Sequence, residues 1–330
     1  MAEQLPLFST PSEETTLPAP APSDPTLPAT QLGAASPLKA AIVAWCDYLV
    51  KEQASPHTIK AFGGDLQLFA RFVGVSQNVG QITTRDLDNW LQWQRTNQHC
   101  SPKTYARRVT SLKSFFRWLH QAQVVGSDPA APVIQHTVIS PLPEILSEAE
   151  VQSALAGAQA LRNGAAPVET DGARESKPDM RPYVLFTLLL QTGIKKGECL
   201  ALVPNHVDLS NPDEPVLWVR YPDPRQRYKE RKLRLDPSWI PTYREYLAQF
   251  EPRDRLFPWS ARRLEYLLED ISQTADLSKR ISFDMCRWTC AVRDARAGMD
   301  RDKIRQKLGL SKIQWREIGM KLDKLVSPAL

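Results

Sequence analysis

Two short frames in this chain combine residue types that suit a phosphate. Ser55-Pro56-His57-Thr58 and Ser101-Pro102-Lys103-Thr104 each supply a hydroxyl cap, a proline at the first helical position and a second hydroxyl one turn in. A helix that begins this way presents unpaired N–H groups and a partial positive charge, which favour an anion. Cations follow on the same turns: Lys60 after the first frame, then Lys103, Arg107 and Arg108 after the second. With Thr58, Thr104 and Lys113 they make a candidate set for a nucleic-acid backbone. Two well-capped surface helices are the competing reading of the same residues. A denser basic run, Arg225, Arg227, Lys229, Arg231, Lys232 and Arg234, contains one acid, Glu230. On a two-stranded turn it would follow a backbone or enter a minor groove; a solvated hairpin is the alternative.

The bulk numbers agree with a polyanionic partner without requiring one. The 330 residues carry a net charge of +5, spread unevenly: −4 over residues 1–37, +5 over 38–137 and +4 over 138–330. Five cysteines (46, 100, 199, 286 and 290) form no C-x-x-C pair, and Cys286 and Cys290 have no histidine after them to complete a zinc set. They read as reduced thiols, so no metal and no cofactor is expected, and the compartment is cytoplasmic. No apolar run reaches membrane-spanning length, and the N-terminus lacks the pattern of a secretory signal.

The elements that must hold these residues are mostly helices. Residues 1–37, with eight prolines, read as a disordered tail in which Met1–Phe8 could dock. Helical periodicity then places Leu38, Ile42, Trp45 and Leu49 on one helix, and Ile59, Phe62, Leu66, Phe69 and Phe72 on a second. Leu87, Trp90 and Leu91 mark a third helix, from about Thr84. Tyr105, Val109, Leu112, Phe116 and Leu119 mark a fourth, from Pro102. On the fourth helix Lys103, Arg107 and Lys113 fall off the apolar stripe and so remain free for phosphates. Gly126 to Pro143 is proline-rich and reads as a linker, with 136–146 joining the two domains. A second domain over 147–330 starts with the capping box Ser147-Glu148-Ala149-Glu150. Gly157–Pro182 reads as a long loop, Pro182–Thr192 as a buried central helix ended by Gly193, and Pro215–Tyr221 with Arg231–Leu235 as two strands. Five helices complete the chain, ending in one from Lys312 to about Leu325.

In this order the elements resemble the tyrosine recombinase, or phage integrase, family from residue 38 onward. The resemblance rests on S-P-H-T-I-K-A-F-G-G-D-L from Ser55, I-T-T-R-D-L from Ile82 and S-P-K-T-Y-A-R-R-V-T-S-L-K-S-F-F-R-W-L from Ser101. In the second domain it rests on T-G-I-K-K-G-E-C-L-A-L from Thr192, K-E-R-K-L-R-L, D-M-C-R-W-T and L-G-L-S-K-I. It implies a mainly α fold with a small β-hairpin or sheet: a helical core-binding (SAM-like) domain over 38–135, then a catalytic-type domain. It also implies double-stranded DNA as partner, in a nucleoid-associated setting, and a final helix that docks on a neighbouring protomer or packs on its own domain.

The family cuts DNA with a tyrosine, while arginines hold the charge that gathers on the phosphoryl oxygens. Carried over residue by residue, that chemistry is thin here. Lys195 stands where the first arginine belongs, though Glu198 three residues on is retained. Gln226 falls at the strand-turn lysine, Asp284 at a histidine, and Leu310 at the histidine of Leu-Gly-His. Arg287 matches the second arginine, and Gly319 falls at the nucleophile. The last tyrosine of the chain is Tyr266 and the last histidine His206, so no tyrosine follows Arg287. Lys195 and Arg287 read as remnants of a phosphate pocket, or as salt-bridged surface cations. The leading expectation is a DNA-binding protein without strand cleavage, alone or beside an active recombinase. An active recombinase with rearranged chemistry and a protein scaffold without DNA are the alternatives.

Overall fold

A computed structural model describes residues 32–135, 141–165 and 177–327. Most of the expected tail (residues 1–31), including its docking peptide, part of the linker (136–140) and part of the expected loop (166–176) lie outside the described residues. The chain divides into two compact units, residues 1–140 and 141–330.

Among the described residues the first unit has four α-helices: α1 (Leu38–Lys51), α2 (Pro56–Val73), α3 (Thr84–Thr96) and α4 (Pro102–Gln121). The caps act as their residue types dictate. Ser55 and Ser101 accept from the Thr58 and Thr104 N–H groups, and Thr83 forms a capping box with Asp86. The core is aromatic. Phe69 meets Trp90 edge-on at 5.4 Å, Trp45 meets Phe115 at 5.6 Å, and Phe115 meets Phe116 at 5.0 Å. Such pairs add about 0.5–1.5 kcal/mol each beyond their burial.

Two expectations change here. Phe72, assigned to the core stripe, is exposed and leans on Trp93 at the rim. Leu32–Pro37, assigned to the tail, lies along Asn78–Gly80, with Val79 and Gly80 N–H groups donating to the Ser36 and Ala34 carbonyls. Gly80 permits this approach, since a Cβ there would stand 2.7 Å from the Ala34 Cβ.

The second unit is built on α5 (Glu148–Arg162), α6 (Met180–Thr192) and α7 (Lys196–Ala201). An antiparallel sheet in the order β1 (Val207–Asp208), β2 (Val216–Val219), β3 (Arg231–Arg234) comes next. It is followed by α8 (Trp239–Phe250), α9 (Ala261–Thr274), α10 (Phe283–Arg296), α11 (Arg301–Lys307) and α12 (Lys312–Val326). The expected strand pair is present, with Val216 opposite Arg234 and Val219 opposite Arg231. β1 and α7 had no expectation, being too short to show a period. Helix α6 is buried along most of its length, as its apolar sequence requires.

The long loop expected from Gly157 is corrected. The α5 helix runs through Gly157 to Arg162, and α6 starts at Met180 under an Asp179 cap. Gly157 is a contact point, not a breaker, because a Cβ there would lie 2.9 Å from the Ala275 Cβ just past α9. The last helix packs on its own unit: Leu322 is buried, and Trp315, Ile318 and Leu325 cover the cluster of Ala291, Val292, Ile304 and Leu308. Trp288 joins the same cluster. Among the described residues no helix is long and apolar enough to cross a membrane.

Candidate nucleic-acid interface

In the second unit the sequence brings four cations around one carboxylate. Gly193 ends α6 at φ +59, turning the chain so that Lys195 caps α7 and Glu198 sits in its first turn. The Glu198 side chain is only 1% exposed, and its oxygens are filled. Arg231 of β3 donates to both, at 2.9 Å each. The Lys195 N–H donates to Oε2 at 2.8 Å, and the Tyr221 hydroxyl makes a short bond to Oε1. Burial alone would raise this carboxyl, but the Arg231 fork, the Tyr221 hydroxyl and the Lys195 N–H outweigh it and hold it at about 2.

Two arginines converge on the C-terminal carbonyls of α11. Arg231 Nε donates to the Lys307 carbonyl at 2.6 Å. Arg287 of α10 donates to the Leu308 carbonyl and, from its other Nη, to the Gly193 carbonyl, both at 2.5 Å. These orphan carbonyls carry the negative end of the helix dipole, so guanidinium groups suit them. Gly309 makes the room: its φ is +60, and a Cβ would lie 2.6 Å from Arg231 Nη1.

The cluster is crowded with positive charge. Burial, the neighbouring Arg287, and Lys229 and Arg231 beyond it lower the Lys195 amine to about 8, against a smaller pull from Glu198. Burial, together with Arg231, lowers Arg287 to about 10, again with Glu198 opposing. Among the described residues neither Lys195 nor Arg287 forms an ion pair. Such a group of donors can hold an anion, and a bound oxyanion would raise both groups back toward their ordinary values.

The remaining positions named from the sequence lie as follows. Arg231, expected on DNA, has a side chain that is 9% exposed and committed to Glu198. Lys229 is buried with its amine over the Tyr228 ring, while Arg227 is exposed on the 3-10 turn Pro224–Lys229. Gln226 in the same turn donates to Asp223. Asp284 is exposed in the first turn of α10, where its charge supports Arg287. Leu310 is buried, and Gly319 is buried beneath the Trp315 ring. Tyr266 accepts from Arg262 Nε at 2.6 Å on the exposed side of α9.

In the first unit, Lys60 and Lys103 are exposed and Lys113 donates to the Ala131 carbonyl at 3.3 Å. The Thr58 and Thr104 hydroxyls bond their own capping serines at 2.8 and 2.9 Å. Arg107 and Arg108, expected to be free, are not. Arg107 Nη2 lies 2.9 Å and Arg108 Nε 3.6 Å from Oδ1 of Asp65, a buried carboxylate of α2. Sequence reading missed Asp65 because helix position alone does not reveal a partner 42 residues away. Tyr221 was missed likewise. Glu198 was legible from its spacing after Thr192-Gly193.

Residues 42–123 match the model of the phage integrase N-terminal SAM-like domain. The chain is 26% identical over 295 residues to tyrosine recombinase XerC of Lacticaseibacillus casei strain BL23, covering 84% of this chain and 92% of that one. It is 31% identical over 209 residues to tyrosine recombinase XerD of Bradyrhizobium diazoefficiens, covering 62% and 61%. Its fold is similar to the Tn1549 transposon integrase in complex with a circular intermediate DNA (TM-score 0.65, 16% identity, 88% and 99% covered). It is also similar to a lambda integrase dimer bound to a COC' core site (TM-score 0.64, 11% identity, 85% and 77% covered). The matched helical module, the relatives aligned across most of its length and the shared architecture all support the tyrosine recombinase family for this chain.

Proposed function

We propose that this protein binds duplex DNA through its phosphates and does not cut it. The observation that carries the reading is the cation cluster: Lys195 and Arg287 meet beside a carboxylate already taken by Arg231, so their charge is left for an anion. Phosphate is the anion this fold meets, since the structures it resembles hold DNA. Arg227 and the Lys229 turn extend the contact in the second unit. Lys60, Lys103, Lys113 and the Thr58 and Thr104 helix starts supply it in the first.

Cleavage lacks its nucleophile. Among the 330 residues no tyrosine follows Tyr266, the position that the resemblance gives to the nucleophile is buried Gly319, and the Tyr221 hydroxyl is bound to Glu198. The role is accessory: the protein occupies a recombination site or accompanies an active recombinase on the nucleoid. Two measurements test this. On a nicked suicide substrate no covalent protein–DNA adduct forms; recovery of one overturns the non-cleaving reading. Across a salt series, log affinity falls with log salt at a slope of about −5 if about six phosphates are neutralised. A flat response overturns DNA binding. Replacing exposed Lys60 and Lys103 by Ala weakens binding to all duplexes alike and leaves the thermal midpoint unchanged.

A further inference from the structure

The geometry points to Asp65 as a positioning residue that aims Arg107 at a DNA phosphate, an inference that rests on the DNA reading above. Asp65 is 2% exposed, on the face of α2 turned to α4. A carboxylate so placed is costly unless it is satisfied. Three side chains of α4 surround it: Arg107 Nη2 and Ser111 Oγ each donate at 2.9 Å, and Arg108 stands at ion-pair distance. Burial still raises the Asp65 carboxyl, against the pull of Arg107, Ser111 and Arg108.

The two arginines divide the work. The Arg108 side chain is 13% exposed and its Nη1 makes a short bond to Gln94 of α3, so it ties three helices together. Arg107 gives Asp65 one nitrogen and keeps its side chain 34% exposed. Its planar fork is therefore anchored at one corner while part of the side chain stays open to solvent. Exposed Lys103 lies one turn earlier on the same face of α4. Anchoring removes rotamer freedom before the ligand arrives, so less is lost on binding.

The sign of the effect separates this role from the others. If Asp65 acted on DNA only through its negative charge, removing that charge would tighten binding. If it served only the fold, its loss would lower the thermal midpoint and leave the binding slope alone. Positioning predicts weaker binding.

The test uses the full chain and a random-sequence duplex, with affinity read by fluorescence anisotropy across a salt series and folding by circular dichroism. Asp65→Asn is expected to weaken binding several-fold and to reduce the slope by about 0.9, the loss of one phosphate contact. Arg107→Lys keeps the charge but cannot hold carboxylate and phosphate together, and is expected to fall equally. The double variant is expected to be no weaker than either. Wild-type or tighter binding by folded Asp65→Asn, or wild-type binding by Arg107→Lys, overturns the inference. Should Asp65→Asn fail to fold, Arg107→Lys decides. A wild-type chain that binds no duplex at low salt overturns the DNA reading, and this inference with it.

Discussion

At the scale of residues, the second unit sets one buried carboxylate against a surplus of cations, and the two respond to pH in opposite windows. Glu198 is held at about 2, below its unfolded value. Its contribution is therefore full above the ordinary carboxylate range and is lost as pH falls toward 2. Glu198→Gln leaves Arg231 without its charged partner in a buried place, and is expected to cost about 3–5 kcal/mol in urea unfolding. It should also flatten the stability profile between about pH 4 and pH 2. Lys195, lowered to about 8, behaves otherwise. It sheds its proton earlier in the folded chain than in the unfolded one, so its contribution to stability rises with pH from about 8 to about 10.4. DNA affinity is expected to move the other way, weakening as pH rises through 8, because a neutral amine no longer attracts a phosphate. Lys195→Arg should remove that loss in a binding titration between pH 7 and 9.

At the scale of elements, the helix starts were legible because a cap is a local device. Ser55, Ser101 and Ser147 each satisfy an N–H within their own first turn, so nothing distant was needed to place them. Strands β2 and β3 were legible for a similar reason, as short β-branched or alternating runs around a proline turn. Glycine was not. Gly157 reads as a breaker in sequence and is a packing contact in the fold, while Gly309 serves a side chain 78 positions away, Arg231. Gly309→Ala imposes a strained φ and drives a methyl into that guanidinium. The expected loss is about 1–3 kcal/mol by thermal unfolding. The same change should loosen the Arg231 hold on Glu198 and so weaken the acid-range profile described for Glu198→Gln.

At the scale of the molecule, each unit owns a core. The first gathers Trp45, Phe69, Trp90, Phe115 and Phe116; the second is built on α6 and the helices around it. A fragment of residues 32–135 is therefore expected to fold by itself with one cooperative thermal transition, and to bind duplex DNA with a shallower salt slope than the full chain. A molten fragment, or one binding with the full slope, would contradict this division.

The sequence by itself determined the order of helices and the two-part plan, and it set the expectation that Lys195, Asp284, Leu310 and Gly319 depart from the family pattern. All of these depend on spacing, caps and residue type, which are local properties. Only the tertiary structure decided which cations are committed and which are left. Arg107, Arg108 and Arg231 looked alike in sequence, yet Arg231 is locked on buried Glu198, Arg108 is buried between Asp65 and Gln94, and Arg107 bonds Asp65 while its side chain stays partly exposed. The reason is that a charge is spent or spared by a partner from another element. Asp65 and Glu198 reach their arginines across 42 and 33 residues of chain, a distance over which no local pattern carries information.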